Sequence, residues 1–432
     1  MTISVLLKKA THHRFFFYCM TVLYLLIELV IYLHMPTANH ITPDSTGYII
    51  PAKEFAAQHS MALGLRLPGY PLFLSIPLHF GLALVPAIVF IQALLSILSA
   101  FFVHKITEQF VSDDFGAVFT IFLFNPYGLM SAQLIIPEVL YTAVLLLNLF
   151  FLLKGCASNS IASIALSGIF ASAATLIRAN GIVLFISGAF LILFFTAKKH
   201  RPFLHVKNLA FVGWFALASA LALSPWLGYR YGKTGTINLV PSQYGHFARY
   251  EALHYLDMLI SDSPYDVSAR HVDKIICRVA AGVNTNCEVA LREELYETAS
   301  THFFKLLADY GPYKIAHGLL KSLFLYFFST GSTVMTTGMD LSSTSSHITN
   351  ILLFGYVLLM RTFVMIGIYY AIVKRDYRIC AFAFAYLLLY TIPIGFFGMA
   401  RYRYPVDFAF FIIGFYGLKC VAPGISTRLG RV

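Results

Sequence analysis

The chain returns again and again to apolar runs of about 20 residues, separated by short polar or basic turns. A helix rises about 1.5 Å per residue, so such a run matches the roughly 30 Å hydrocarbon core of a bilayer. Lipid offers the backbone no hydrogen-bond partner, which leaves helices and closed barrels as the structures able to cross it. Unbroken apolar stretches, without the alternation of a barrel strand, select helices. Charged residues are 12% of the 432-residue chain, against about a quarter in soluble domains, and 58% are hydrophobic. The expected architecture is an all-α polytopic membrane protein with about 10 transmembrane helices, within a range of about 10 to 12.

The first run, 15–35, is too long and too uninterrupted for the core of a signal peptide. The next clean run is 84–103, followed by runs ending near 125 and 154. Residues 112–114 (Ser-Asp-Asp) would cap the helix that ends at 125. Later runs fall at 161–176, up to 197, 209–226, 348–373, 380–397 and 406–418. Basic residues collect at one set of turns, above all Lys198-Lys199-His200-Arg201, as the positive-inside rule expects of the cytoplasmic side. Both ends of the chain then lie inside, provided that 315–328 is an interfacial helix. The same placement accounts for the net charge of +11 without a nucleic acid partner.

Three regions follow: a membrane module at 1–228 with a first outer loop at 36–83, a polar extracytoplasmic region at 229–313, and a C-terminal part at 314–432. In the outer loop, 51–60 reads as a short helix begun by Pro51, and 69–80 as a broken helix at the interface. Within the polar region, 286–309 reads as one amphipathic helix. Cys277 and Cys287 lie in this region and form a candidate disulfide if it faces an oxidising compartment. No Cys-x-x-Cys and no metal-type Cys/His spacing occurs.

With this topology the ionisable groups at the outer face are Asp44, Arg66, Glu138, Arg178, Arg401, Arg403 and Asp407. Several flank a proline or glycine that breaks a helix, and irregular backbone at membrane depth is tolerated where protein or a wet cavity covers it. Charges there are candidates for function. Arginine outnumbers acid, and its planar fork of donors suits phosphate. Asp44 beside such cations stays ionised and can take a proton from a bound hydroxyl as a general base. Glu28 and Arg361 sit inside spans, where an internal pair between them is conceivable. No cofactor is demanded; a divalent metal is compatible with the acids and histidines present.

Pro43-Asp44-Ser45-x-x-Tyr48 follows the first span, and Arg66-Leu67-Pro68-Gly69-Tyr70-Pro71 closes the loop. Gln92, Asn125-Pro126-Tyr127, Pro137-Glu138, Arg178-Ala179-Asn180-Gly181, Pro225-Trp226-x-x-Tyr229-Arg230 and Arg401-Tyr402-Arg403-Tyr404-Pro405 come in order after it. In that order the chain resembles the C-type (GT-C) membrane glycosyltransferases. It is most similar to the bacterial branch with protein mannosyltransferase-like, aminoarabinose-transferase-like and lipopolysaccharide galacturonosyltransferase-like members. The resemblance implies a GT-C-type helical bundle in the bacterial inner membrane, with the active site on the extracytoplasmic side. It implies a polyprenyl-phosphate sugar donor and an inverting single displacement onto a lipid, glycan or protein hydroxyl. Asp44 matches the catalytic acid of the first loop, and Arg66, Arg178, Arg401 and Arg403 match donor-phosphate surroundings. Ser45, Tyr48, Tyr70, Glu138 and Tyr404 would line the site. Members often carry an adjacent acidic pair where Ser45 follows Asp44 here.

Two other classes compete. A polysaccharide polymerase or ligase would share the arginines but not need the first-loop aspartate. A lipid-linked sugar transporter or flippase would place its charges near the midplane and show inverted repeats, whereas these charges lie mainly at one face.

Overall fold

The computed structural model describes residues 14–60, 66–111, 116–197, 204–240, 242–281, 292–328, 343–391 and 403–429. Among these the chain is helical and no strand occurs. The helices are α1 (Arg14–His34), α2 (Thr46–Gln58), α3 (Gly69–His79), α4 (Leu84–Thr107), α5 (Gly116–Leu123), α6 (Pro126–Gln133), α7 (Glu138–Ser158), α8 (Ile161–Ile177) and α9 (Val183–Thr196). They continue as α10 (Val206–Thr234), α11 (Ser242–Ser261), α12 (Tyr265–Ala281), α13 (Arg292–Thr301), α14 (Phe303–Asp309), α15 (Pro312–Phe328), α16 (Ser343–Val373), α17 (Tyr377–Ala383) and α18 (Asp407–Leu429).

Seven of the described segments are long and apolar enough to cross a membrane: Phe15–His34, Leu84–Thr107, Glu138–Ser158, Ala179–Thr196, Val206–Thr234, His347–Val373 and Tyr404–Val421. Two shorter apolar helices, Ile161–Ile177 and Tyr377–Leu389, pack among them. The run expected to end at 125 is instead a broken crossing, with α5 and α6 of eight residues each. The break is chemical: Asn125 accepts the Tyr127 N–H at 3.1 Å, and Pro126 sits in the first helical turn. The capping residues expected at 112–114 lie outside the described residues.

Other boundaries differ from the sequence expectation for local reasons. α10 runs through Pro225 to Thr234 rather than ending there. Pro225 lacks the N–H that would reach the Leu221 carbonyl, and the Ser224 hydroxyl donates to that carbonyl instead, at 2.8 Å. α2 starts five residues before Pro51, so the proline lies inside the helix rather than beginning it. The helix expected over 286–309 is two helices, α13 and α14, parted at His302; residues 286–291 lie outside the described part. α11 and α12 were hidden by their charge, although Ser268, Val272 and Ile276 recur at helical spacing and are buried.

Small residues set the close helix crossings, as expected where lipid tails compete with apolar packing. A Cβ on Gly367 of α16 would stand 2.1 Å from the Ile413 carbonyl oxygen of α18. A Cβ on Gly168 of α8 would stand 2.4 Å from the Phe215 carbonyl oxygen of α10. One large core joins the bundle, whereas α11 to α14 bury a smaller one of their own around Tyr250, Leu253, Val272, Ile276, Ala299 and Leu306.

α15 joins the two. Lys321 donates to the Leu259 carbonyl at 3.0 Å and pairs with Asp262, both in the outer group. Nearer its C-terminus α15 offers the Tyr326 and Phe327 carbonyls to arginines of the bundle. It is 17 residues long and half-exposed on its apolar face, with Leu320 and Phe324 open.

Candidate functional site

Asp44 stands in the turn that leads into α2, and Arg66 in the turn before α3. Arg66 Nη2 donates to Asp44 Oδ1 at 2.7 Å, and the two side chains remain 30% and 38% exposed. The guanidinium lies over the Tyr48 ring, 4.8 Å from its centroid, and Tyr48 meets Tyr70 edge-on. Carboxylate and guanidinium are therefore held in register yet open to a visitor. Gly47 lies close under the guanidinium, since a Cβ there would stand 3.3 Å from Arg66 Nε.

Ser45 and Tyr70, expected to line the site, are instead buried supports. Ser45 Oγ donates to the Ile135 carbonyl at 2.8 Å and accepts from the Thr42 N–H. Tyr70 donates to Gln92 Oε1 at 3.2 Å. Gln92 in turn donates from Nε2 to the carbonyls of Ala132 and Leu134, at 3.0 and 2.8 Å. The strap at 132–136 is fixed from two more sides. His40 Nδ1 lies 2.6 Å from the Gln133 carbonyl oxygen, and Gln133 Nε2 donates to the Glu28 carboxylate of α1. Thus Glu28 holds the strap rather than pairing with Arg361. The sequence pointed to Gln92 only through the resemblance, and Gln133 and His40 were missed. A glutamine at the heart of an apolar run is the signal that was there to read.

The strap leads into Pro137 and Glu138 at the start of α7. Glu138 is fully buried and accepts from Arg178 Nη1 at 3.0 Å; Arg178 is 11% exposed. Arg178 follows the end of α8. A Cβ on Gly69 would stand 2.8 Å from backbone atoms of Leu176 and Ile177, so α3 begins on the end of α8. Tyr404 packs with Tyr127, Ala132 and Val139, its ring 5.5 Å from that of Tyr127. It too is buried rather than exposed in a cavity.

A third ion-pair cluster lies at the start of the last span. Arg403 Nε donates to Asp407 Oδ1 at 3.0 Å, and its Nη1 donates to the Tyr326 and Phe327 carbonyls at 2.8 and 3.1 Å. Arg361 Nη2 lies 3.6 Å from the same carboxylate oxygen, and Nε donates to the Phe327 carbonyl. Arg403 is 3% exposed. A fork so occupied does not face a substrate phosphate, which corrects the expected role of Arg403. The carboxylate Asp407 answers to Arg403 one helical turn away. Arg401 lies outside the described residues.

These pairs share one end of the bundle. The opposite end gathers Phe17 with His104, Arg378 over Phe110 and Phe195, and Lys374 beside Cys420 Sγ at 3.2 Å. Cys277 is disulfide-bonded and buried, while Cys287 lies outside the described residues. Among the described residues no three His, Cys, Asp or Glu side chains are grouped to hold a metal ion. His79 stands against His59, with ring centroids 5.9 Å apart.

No family model and no curated protein matches the sequence. A solved structure does match: the archaeal oligosaccharyltransferase AglB from Archaeoglobus fulgidus, in complex with an inhibitory peptide and a dolichol-phosphate. The TM-score is 0.51 at 13% identity, over 95% of this chain and 51% of that one. At that identity the likeness is one of fold, an all-α membrane bundle, and this chain spans about half the length of the matched protein.

Proposed function

We propose that the protein is a membrane glycosyltransferase that moves a sugar from a polyprenyl-phosphate donor to a hydroxyl of a lipid, glycan or protein. The observation that carries this reading is the half-open Asp44–Arg66 pair, just before the contact of α3 with the end of α8, the helix that Arg178 follows. An acceptor O–H gives its proton to the Asp44 carboxylate while its oxygen forms a bond to the anomeric carbon. The bond from that carbon to the donor phosphate oxygen breaks on the opposite face, so configuration inverts. The electron pair leaves on the phosphate, whose charge Arg66, Arg178 and Arg401 stabilise. Arg66 can turn to an incoming phosphate because both members of its pair are about a third exposed. Arg403, Ser45 and Tyr70 hold the frame. We read the opposite end, with its basic residues, as the cytoplasmic one and the Asp44 end as the outer one, as the positive-inside rule expects.

The matched structure is named for oligosaccharide transfer, which keeps block transfer as the second reading. The mass gained by the product separates the two. Asp44→Asn in the purified protein should reduce transfer by about 100-fold or more with folding unchanged, because general-base catalysis contributes about 100- to 10,000-fold. Arg66→Ala should chiefly raise the KM for lipid-linked sugar. Wild-type turnover in Asp44→Asn would remove the mechanism.

A further inference from the structure

The run Pro225-Trp226-x-x-Tyr229-Arg230 near the end of α10 holds a buried cation that the proposed transfer leaves unused. Arg230 is 3% exposed. Its Nε and Nη1 are buried without a hydrogen-bond partner, and among the described residues no carboxylate pairs with it. Arg361 and Arg403, also buried, each donate to a backbone carbonyl of α15 and face the Asp407 carboxylate. Arginine stays protonated in proteins, so its burial is not relieved by neutralisation. A buried charge without a partner in its own chain asks for an anion from outside it.

α8 and α10 run parallel in contact, with Gly168 against Phe215 and the Ser172 hydroxyl donating to the Ser219 carbonyl at 2.8 Å. In that register Ile177, the last residue of α8, comes level with Ser224, and α10 runs on to Thr234. Arg230 lies about three turns beyond Ser219 on the same stripe of α10, where α8 has ended. α3 begins on that end of α8 through Gly69, so Arg230 belongs to the end of the bundle that carries Asp44 and Arg66. Its guanidinium leans back one turn, as helical side chains do, to 6.0 Å from the Trp226 ring. Trp226 stacks on Tyr229 at 5.8 Å, and the exposed Lys233 stands 6.0 Å from the Tyr229 ring. Aromatic rings beside arginine and lysine at the end of a span are the composition that meets lipid headgroups.

We infer that Arg230 is a binding residue for the phosphate of a membrane lipid, with Lys233 as the solvated cation of the same site. Phosphate brings both charge and several acceptor oxygens, so one group can meet Nε and Nη1 together. Two lipids offer that chemistry. One is the polyprenyl phosphate of the proposed transfer, in which case the site rests on that reading and deepens it. The other is a phospholipid headgroup of the surrounding leaflet.

The test uses the full chain in neutral detergent, stripped of lipid. Thermal unfolding is read against decaprenyl phosphate, dioleoyl phosphatidylglycerol, inorganic phosphate, and dioleoylglycerol as the phosphate-free control. The wild-type transition should rise saturably with a phosphate lipid and not with dioleoylglycerol. A response to decaprenyl phosphate alone assigns the site to the transfer lipid, and a response to phosphatidylglycerol assigns it to headgroups. Arg230→Met keeps an apolar stem and should weaken the apparent lipid affinity about 10- to 100-fold, the worth of a hydrogen bond to a charged group. Arg230→Lys, which keeps the charge, should fall between. Without lipid, Arg230→Met should unfold no lower than the wild type, since it removes a charge that has no partner. A clear fall there would make Arg230 a structural residue paired within the chain and would overturn the site. Full lipid affinity in Arg230→Met, a wild type unmoved by either phosphate lipid, or an equal response to inorganic phosphate would overturn it too. None of these readouts is sugar transfer, so a failure here leaves the Asp44 mechanism to its own test.

Discussion

At the scale of single residues, the three arginine pairs differ in what they leave open. Asp44–Arg66 is partly solvated, Arg178–Glu138 is nearly closed, and Arg403–Asp407 is buried. Burial makes loss of one partner costly, because the other is left as an uncompensated charge. Arg178→Ala should therefore lower unfolding stability by about 3 to 5 kcal/mol, with Glu138 stranded. Arg178→Met combined with Glu138→Leu should recover much of that stability, read by thermal unfolding, while transfer stays lost. A double variant no more stable than the single would show that the pair is not the source of the cost. The residue types at the site were legible in the sequence; their assignments were less so. Asp407 sits four residues after Arg403, the helical spacing that makes a pair. Ser45 could not be read, because its partner is the Ile135 carbonyl 90 residues away. A hydroxyl next to a candidate catalytic carboxylate looks like a ligand until that carbonyl is seen.

Among elements, the decisive contact is the start of α3 on the end of α8. Gly69 lets the two backbones meet, and Arg66 lies three residues before it. Gly69→Ala should push α3 away at a cost of about 1 to 3 kcal/mol, as overpacking does. The larger effect should fall on transfer, since the Arg66 turn moves with α3. A variant with normal turnover and raised KM alone would argue that only donor binding depends on this contact. The long helices were legible because twenty apolar residues have few alternatives in a chain so poor in charge. The outer helices α11 and α12 were not, because their buried face is narrow and their charges dominate the composition. The break at Asn125-Pro126 was legible as a turn, but not that α6 continues beyond it, since 126–133 has no strong apolar period.

Across the whole molecule, the bundle and the outer helical group keep separate cores, and α15 is built into both. The Lys321 ammonium holds the Asp262 carboxyl below the usual carboxylate range. A carboxyl so depressed adds stability above its unfolded value, and loses it as pH falls through the folded value. The difference in hydrogen exchange over 254–262 between wild type and Lys321→Ala should thus be constant above about pH 5 and shrink below about pH 4. A difference that grows on acidification would contradict the pairing. Lys321 and Phe327 lie six residues apart on α15, about 9 Å at the helical rise, so a tilt of 10° about Lys321 displaces Phe327 by about 1.6 Å. Such a displacement would pull the Tyr326 and Phe327 carbonyls off the guanidiniums they receive from, Arg403 and Arg361. In mechanical terms α15 is a lever whose short throw is read by two buried charges. Whatever grips the outer helices therefore acts at the root of the last span.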